Sequence, residues 1–319
     1  MKIESLSAPA MVAWQLTRDC DLACVHCCTD SAPGRALRSE LSGDEAAALA
    51  RQIVAAGVPY AMIVGGEPTL VPHFMDVCRA LSNGGVLLKI ETNGQRFDPA
   101  ALAGLGVRSV QISLDGATQA TYAKQRINGS LEKALAACRS TVAAGLPLEI
   151  TFAPTRINIC DIEPVIELAA SLGAFRFNTG QLMRLGNAAK LWDRLELSAS
   201  QYEVFLSVLR RKDRELAGQI ELCYKPFSLH EDMTARFRDP SGTLLILPDG
   251  RVKVAASLPW ICADLRSQTL LSAWSAYQKA WHDPRVRLSL EQLAADPAFS
   301  ANANEWKSLE SADDLPAMV

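Results

Sequence analysis

The sequence predicts an α/β fold: a partial barrel of six βα units, followed by a small α+β extension that carries a β-hairpin. Three observations predict it. Short β-rich runs alternate with longer helical patterns from about residue 10 to residue 185. Six such strand–helix repeats imply parallel strands joined by right-handed crossovers. Beyond Gly186 the alternation gives way to one long helical pattern, then to two apolar runs around a Pro-Asp-Gly turn.

The strand-like runs are Val12–Thr17, Tyr60–Val64, Val86–Glu91, Ser109–Leu114, Leu148–Ala153 and Phe175–Thr179. Helix-like segments lie between them at Asp44–Ala56, His73–Ser82, Ala100–Leu105, Leu131–Ala144 and Ile162–Leu172. Ser42 supplies an N-cap for the first, an Ala-rich helix. Gly145 and Gly173 follow helical runs, where a C′ glycine belongs. Six units are fewer than the eight of a closed barrel, so the barrel is open-sided, with ligands expected beyond the C-terminal strand ends. Ser198–Ala217 reads as a long helix, Gly242–Val254 as a hairpin and Leu270–Trp281 as a further helix. The tail from about Ala294 is polar and acidic. The chain thus divides into a barrel over residues 1–190 and a helical linker with its extension over 191–319.

With 319 residues, 49% of them apolar, the chain can bury one large core and a small appended module. Net charge is −3 and no basic stripe is present, so no nucleic-acid partner is expected. No signal peptide and no run of 18 apolar residues is present, which predicts a cytoplasmic protein without a membrane partner. Nine cysteines are an odd number, and four of them, at 20, 24, 27 and 28, crowd into nine residues. In a chain of this kind such a cluster points to metal or redox chemistry rather than to a disulfide framework. Cys78 and Cys138 lie in helical apolar patterns and read as buried thiols.

Cys20-Asp-Leu-Ala-Cys24-Val-His-Cys27 directly follows the first strand-like run. Three thiolates so spaced can wrap a loop around one cubane, leaving one iron open to chelate a small molecule. A zinc site would need a fourth ligand, and neither His26 nor Cys28 is placed to share one tetrahedral ion with an adjacent cysteine. Gly65 and Gly66, after the second run, allow a close backbone approach and positive φ.

The triplet resembles the signature of radical S-adenosylmethionine enzymes. The likeness extends through Gly65-Gly66-Glu67-Pro68, Glu91-Thr92-Asn93-Gly94 and Ser113-Leu114-Asp115-Gly116, all at strand ends, and covers residues 10–185. It implies a TIM-like partial barrel, one [4Fe–4S] cluster on Cys20, Cys24 and Cys27, and S-adenosylmethionine as cofactor. By the same resemblance, Gly65, Gly66, Glu67 and Pro68 hold the methionyl ammonium. Ser113 resembles the ribose-contacting position, Arg126 the partner of the methionyl carboxylate, Asn93 a residue facing the site, and Met183 one near the adenine. The reaction implied begins with electron transfer to the cofactor and ends with a 5′-deoxyadenosyl radical taking hydrogen from a substrate. A flavodoxin or ferredoxin is the implied electron donor.

Residues 242–281 resemble a SPASM/twitch extension, including the Pro-Asp-Gly hairpin and a short helix with Trp274; Arg285 lies near its usual end. The departure from that family matters more: only Cys223 and Cys262 remain in this third, short of the usual set for a second cluster. A redox-neutral outcome, epimerisation or elimination, is therefore expected over dehydrogenation, with Cys262, then Cys223, as candidate hydrogen donors to a substrate radical. The first strand begins near residue 12, so no leader-binding domain is expected before it. That favours a small polar natural-product intermediate, such as a sugar, aminocyclitol or nucleoside. Modification of a ribosomally made peptide is the alternative, and a non-catalytic partner subunit a third. Asp115, Tyr122, Glu149, Arg156, Asn178, Gln181 and Arg184 are candidates for the substrate mouth.

Overall fold

The computed structural model describes residues 2–310. Its strands are β1 (Met11–Gln15), β2 (Ala23–Cys24), β3 (Tyr60–Val64), β4 (Leu87–Thr92), β5 (Val107–Ser113), β6 (Arg126–Ile127), β7 (Leu148–Phe152), β8 (Arg176–Gly180), β9 (Glu221–Lys225), β10 (Thr243–Ile246), β11 (Arg251–Lys253), β12 (Trp260–Asp264) and β13 (Lys307–Ser308). The main sheet runs β13-β12-β11-β10-β1-β3-β4-β5-β7-β8-β9. From β10 through β1 to β9 every pairing is parallel. The six expected strands and their order are present. A seventh parallel strand, β9, extends the barrel past residue 190, within what reads as linker in the sequence. It is as long as β1 or β3, but only Leu222 of its five residues is buried, so no apolar alternation marks it in the sequence.

The helices are α1 (Gly43–Ala55), α2 (Phe74–Asn83), α3 (Gln119–Gln125), α4 (Leu131–Ala143), α5 (Ile162–Ser171), α6 (Gly186–Lys190), α7 (Trp192–Leu195), α8 (Ala199–Glu215), α9 (Leu229–Arg238), α10 (Leu270–Ala280) and α11 (Pro284–Ala295). Helix α1 starts on a full capping box, with Glu45 N donating to Ser42 Oγ and Ser42 N to a Glu45 carboxylate oxygen. It buries Ala46, Leu49, Ala50 and Ile53, one face of a 3.6-residue period. Gly145 and Gly173 have the positive φ of a C′ residue, at 72° and 79°. The segment expected to be helical at 100–105 is one 3₁₀ turn, Pro99–Leu102, because Gly104 turns the chain at φ 79°. Helix α3 carries no apolar stripe to announce it; a Thr118 cap starts it and only Tyr122 and Gln125 are buried. The polar tail is ordered as far as residue 310, through α11, a 3₁₀ segment Pro297–Asn304 and the pairing of β13 on β12. Its acidic end, residues 311–319, lies outside the described residues.

Strand alternation positions the site. Ile63, Leu88, Ile90, Val110, Ile112, Ile150 and Phe177 are fully buried on the strand faces covered by helices. The opposite faces carry Lys89, Glu91, Gln111, Ser113, Glu149, Thr151 and Asn178, which meet in register across the strands. A closed barrel fills that interior with branched apolar side chains. Here it is polar, which leaves room for ligands. Phe177 stacks on Phe152 with ring centroids 6.3 Å apart and is 0% exposed. Phe177→Ala is expected to lower stability by about 3–5 kcal/mol, the usual cost of emptying a buried aromatic site, as read by chemical denaturation.

Candidate active site

The loop after β1 folds so that Cys20 and Cys24 are buried and Cys27 half-buried, packed together around Leu22. All three line one cavity of about 320 Å³, whose wall also holds Gly65, Gly66, Asn93, Ser113 and Arg126. Backbone contacts fix this arrangement. Gly66 N donates to Thr17 O at 2.7 Å and Glu67 N to Asp19 O at 2.9 Å. A Cβ on Gly66 would stand 2.1 Å from Asp19 O. Neither Gly65 nor Gly66 has positive φ, so the expected φ requirement is corrected. Close approach of two backbone segments, the turn after β3 and the loop after β1, is what demands glycine at 66, not a left-handed turn. On the far side, Asn187 N donates to Cys27 O at 2.8 Å. Gly186 has φ 54°, and a Cβ there would lie 2.6 Å from Cys27 O. The isolated Gly-Asn pair gives no such signal in the sequence.

Glu67 does not reach the cavity, contrary to expectation. It is 0% exposed and both carboxylate oxygens are used. Oε1 accepts from Thr69 Oγ1 and Thr92 Oγ1, both at 2.7 Å, and Oε2 from Asn93 N at 2.8 Å. Burial pushes its pKa up, against the pull of these hydrogen bonds. Its role is to splice the end of β3 to the end of β4. Pro68 begins the 3₁₀ turn that follows and does not line the cavity either. Asn93 does face the site: its Nδ2 lies 2.7 Å from Asp21 Oδ1 and 3.7 Å from Cys20 Sγ.

A second buried knot joins Asp115, Arg126 and His26. Asp115 Oδ2 accepts from Arg126 Nε at 2.6 Å and lies 3.2 Å from His26 Nε2, while its Oδ1 accepts from Ala153 N at 2.7 Å. Burial alone would raise Asp115, yet the Arg126 guanidinium and His26 hold it down at about 2. Asp115 is therefore not a mouth residue: it is 0% exposed and anchors Arg126. Tyr122, also 0% exposed, is corrected likewise. Arg126 Nη1 is 3.7 Å from Cys24 Sγ, and the residue still lines the cavity. An anchored guanidinium presented to a cavity suits a carboxylate.

A second chamber of about 410 Å³ shares His26, Cys28, Glu91, Ser113 and Arg126 with the first and continues over Thr151, Asn178, Gln181 and Met183. Ser113 lines both chambers and Met183 the second. Glu91 lines both chambers and accepts from Gln111 Nε2 at 3.0 Å. Burial raises its pKa against the pull of Lys89. Glu149 lies deeper, held by Lys89 Nζ at 2.9 Å and Asn178 Nδ2 at 2.7 Å. Arg184 stacks over Trp192 at 5.5 Å, and Arg156 faces outward, donating to Asp193 O.

Neither candidate hydrogen donor lines either chamber. Cys262 is 5% exposed inside the β10–β12 packing, its Sγ 3.5 Å from Val252 O. Burial pushes it up to about 12, which suits an inert structural thiol. Cys223 stands beside Asn178 on β9 with its Sγ toward Glu221. Trp274 and Arg285 are structural as well: Trp274 Nε1 donates to Leu6 O, and Arg285 stacks on Trp260 and pairs Asp283. Lys253 of the extension lines neither chamber: it is 2% exposed with Nζ on Ala256 O at 2.9 Å, and burial pushes it down to about 8.

The residues fit an iron–sulfur cluster with S-adenosylmethionine. Cys20, Cys24, Cys27 and Cys28 line the first cavity with a single carboxylate, Glu91, and His26 Nδ1 there is buried with no partner among the described residues. Burial pushes Cys20 up to about 12 and Cys24 up to about 11, so ligation must displace their protons.

Comparison with known proteins agrees. Residues 14–169 match the Radical SAM superfamily. An AdoMet-dependent heme synthase of Methanosarcina barkeri is 26% identical over 85% of this chain and 84% of its own length. The mycofactocin maturase MftC of Mycobacterium ulcerans is 34% identical over 67% of this chain, which spans 58% of that protein. A PqqA peptide cyclase of Ruegeria pomeroyi is 28% identical over 92% of this chain and 82% of its own length. Streptococcus suis SuiB bound to S-adenosylmethionine shares the fold, with a TM-score of 0.69 at 15% identity over 84% of this chain and 66% of that one.

Two outcomes test this geometry. Gly66→Ala is expected to cut iron uptake on anaerobic reconstitution several-fold, because the new Cβ displaces the Asp19 carbonyl. Asp115→Asn is expected to cost about 3–5 kcal/mol by leaving Arg126 buried and unpaired. Since the folded carboxylate sits near 2 and an unfolded aspartate near 3.9, the deficit is constant from neutral pH to about 5 and shrinks only below about 4, as denaturation across pH will show.

Proposed function

The chain belongs to the radical S-adenosylmethionine superfamily, whose enzymes use a [4Fe–4S] cluster and S-adenosylmethionine; on that premise we propose that this enzyme modifies a peptide. The observation that carries the reading is a row of three adjoining cavities. The cysteine-lined cavity shares five wall residues with the second chamber, and that chamber shares Pro154, Gln181 and Leu182 with a third cavity of about 340 Å³. The third cavity is mostly apolar, walled by Trp192, Leu197 and Tyr202, with Gln181 and Glu196 at its sides. A compact sugar or cyclitol would fill one chamber and leave the apolar end wet. An extended chain fills all of it, with one residue above the cysteines and a side chain seated on Trp192. The nearly full-length similarity to a peptide cyclase and the similarity to a maturase support this over a small polar intermediate.

When bound, held by Cys20, Cys24, Cys27 and the residues around them, the cluster and its cofactor would supply the radical chemistry for hydrogen abstraction from a substrate. The chain's own residues bind, orient and exclude water. Arg126, held by Asp115, would pair the methionyl carboxylate; Gly65 and Gly66 would expose strand-end backbone to the ammonium; Ser113 and Glu91 would accept from ribose hydroxyls; Met183 would pack on the adenine. The polar wall of Gln111, Thr151 and Asn178 holds the reacting residue's backbone. With two cysteines in the last third of the sequence, a redox-neutral modification remains the reaction we favour.

The test is anaerobic reconstitution followed by incubation with S-adenosylmethionine, reductant and one of three substrate sets: peptides encoded by short reading frames beside the gene, haem precursors, or sugars and aminocyclitols. We expect a neighbouring peptide to stimulate 5′-deoxyadenosine release and to emerge altered in its fragmentation pattern or chirality. Stimulation by a sugar, cyclitol or haem precursor and by no peptide would overturn the proposal.

A further inference from the structure

The cysteine loop has two outer flanks, and one is covered. Asn187 N and Asn304 Nδ2 donate to the carbonyls of Cys27 and Cys28, at 2.8 and 2.9 Å, so α6 and the 3₁₀ segment Pro297–Asn304 lie over that side. The other flank is open to solvent. There β2 pairs with β6, Cys24 opposite Arg126 and Ala23 opposite Ile127. Val25 N extends the pairing to Gln125 O at 3.1 Å. Cys24 faces the inner cavity, whereas Val25 opens onto a groove of about 510 Å³ on the outside.

The groove's lining divides by chemistry. Val25, Ile127, Ile157, Leu191 and Leu195 are apolar, and Lys124 and Arg194 are exposed cations beside them. Ile127 is 41% exposed, an apolar side chain left in water between charges. Neither cation has an ion-pair partner among the described residues. On a chain of net charge −3 this is a local positive patch, so it orients an acidic partner that the rest of the surface repels. Val25, in the groove's floor, is flanked directly in sequence by Cys24 and by the His26-Cys27 pair.

We propose that this groove is the docking surface for the enzyme's one-electron donor, a small acidic flavin-carrying protein of the flavodoxin kind. The exposed edge of its flavin lies on Val25 and Ile127, and its surrounding carboxylates pair with Lys124 and Arg194. A flat apolar ring edge suits a concave apolar floor. The step is a single electron: the flavin loses one, the iron–sulfur site on Cys20, Cys24 and Cys27 gains one, and no bond or proton passes between the proteins. The inference rests on the cluster assignment above and is independent of the substrate.

The experiment compares the wild-type chain with Lys124→Glu/Arg194→Glu and, as a milder pair, Lys124→Gln/Arg194→Gln. Both positions changed are exposed. Two readouts are taken: titration of flavodoxin followed by its flavin fluorescence, at low and high ionic strength, and 5′-deoxyadenosine release driven either by flavodoxin with its reductase or by dithionite. The charge reversal is expected to weaken flavodoxin binding about tenfold or more and to slow the flavodoxin-driven release in proportion. Dithionite-driven release stays at the wild-type rate, and wild-type binding weakens as salt rises. Wild-type flavodoxin affinity in both variant pairs would overturn the proposal, and so would equal loss in the flavodoxin and dithionite arms of the glutamine pair. A ferredoxin that binds here while flavodoxin does not overturns the choice of a flavin carrier. Flavodoxin binding lost on charge reversal, with no iron taken up and no 5′-deoxyadenosine from any reductant, keeps the surface and sinks the cluster assignment instead.

Discussion

The docking of two backbones holds the site together. The turn after β3 lays its amides on the carbonyls of Thr17 and Asp19, the residues that lead into the cysteine loop. Each such hydrogen bond is worth only about 0.5–1.5 kcal/mol net. Their effect is geometric, because they set the start of the loop against the turn that carries Gly65 and Gly66. Any side chain at Gly66 would enter the Asp19 carbonyl, and no rotamer relieves a clash at Cβ. The buried Glu67 carboxylate then ties the same turn to the end of β4. One acidic residue with no access to a ligand thus aligns three strand ends with the loop.

The barrel interior shows why this scaffold binds and a closed barrel packs. Helix-covered strand faces are apolar and sealed, while inward faces meet as a ladder of amides and charges from Lys89 to Asn178. Those groups satisfy one another: Lys89 Nζ reaches both Gln111 and Glu149, and Asn178 reaches the same two oxygens. A satisfied polar network is rigid and costs little to keep buried. It gives the chamber a wall that offers hydrogen bonds without collapsing, next to the apolar stretch at Trp192 and Tyr202.

The carboxyl-terminal third has a role that its cysteines obscure. Cys262 is a core thiol and Cys223 sits on an added barrel strand. The extension instead covers the cysteine loop with Asn304 and pairs β10 directly with β1. It is a lid on one flank of the loop and an edge strand for the sheet. The groove at Val25 is what that lid leaves open.

Much of this was legible in the residues themselves. Alternating periods placed six strands to within a residue or two, and the Ser42 and glycine signals placed helix ends, because caps and turns depend on neighbours in sequence. The cysteine spacing and the motifs at successive strand ends identified the chemistry for the same reason: a loop's ligands are chosen locally. What required the tertiary structure were relations between distant segments. Glu67 reads as a ligand-binding acid until its partners on β4 are seen, and Asp115 as a mouth residue until Arg126 closes over it. Cys262 looked available because sequence carries no measure of depth, and β9 and α3 were missed because neither bears an apolar period. Spacing along the chain determined which atoms could do the chemistry, whereas burial and pairing across the fold decided which of them face the cavity.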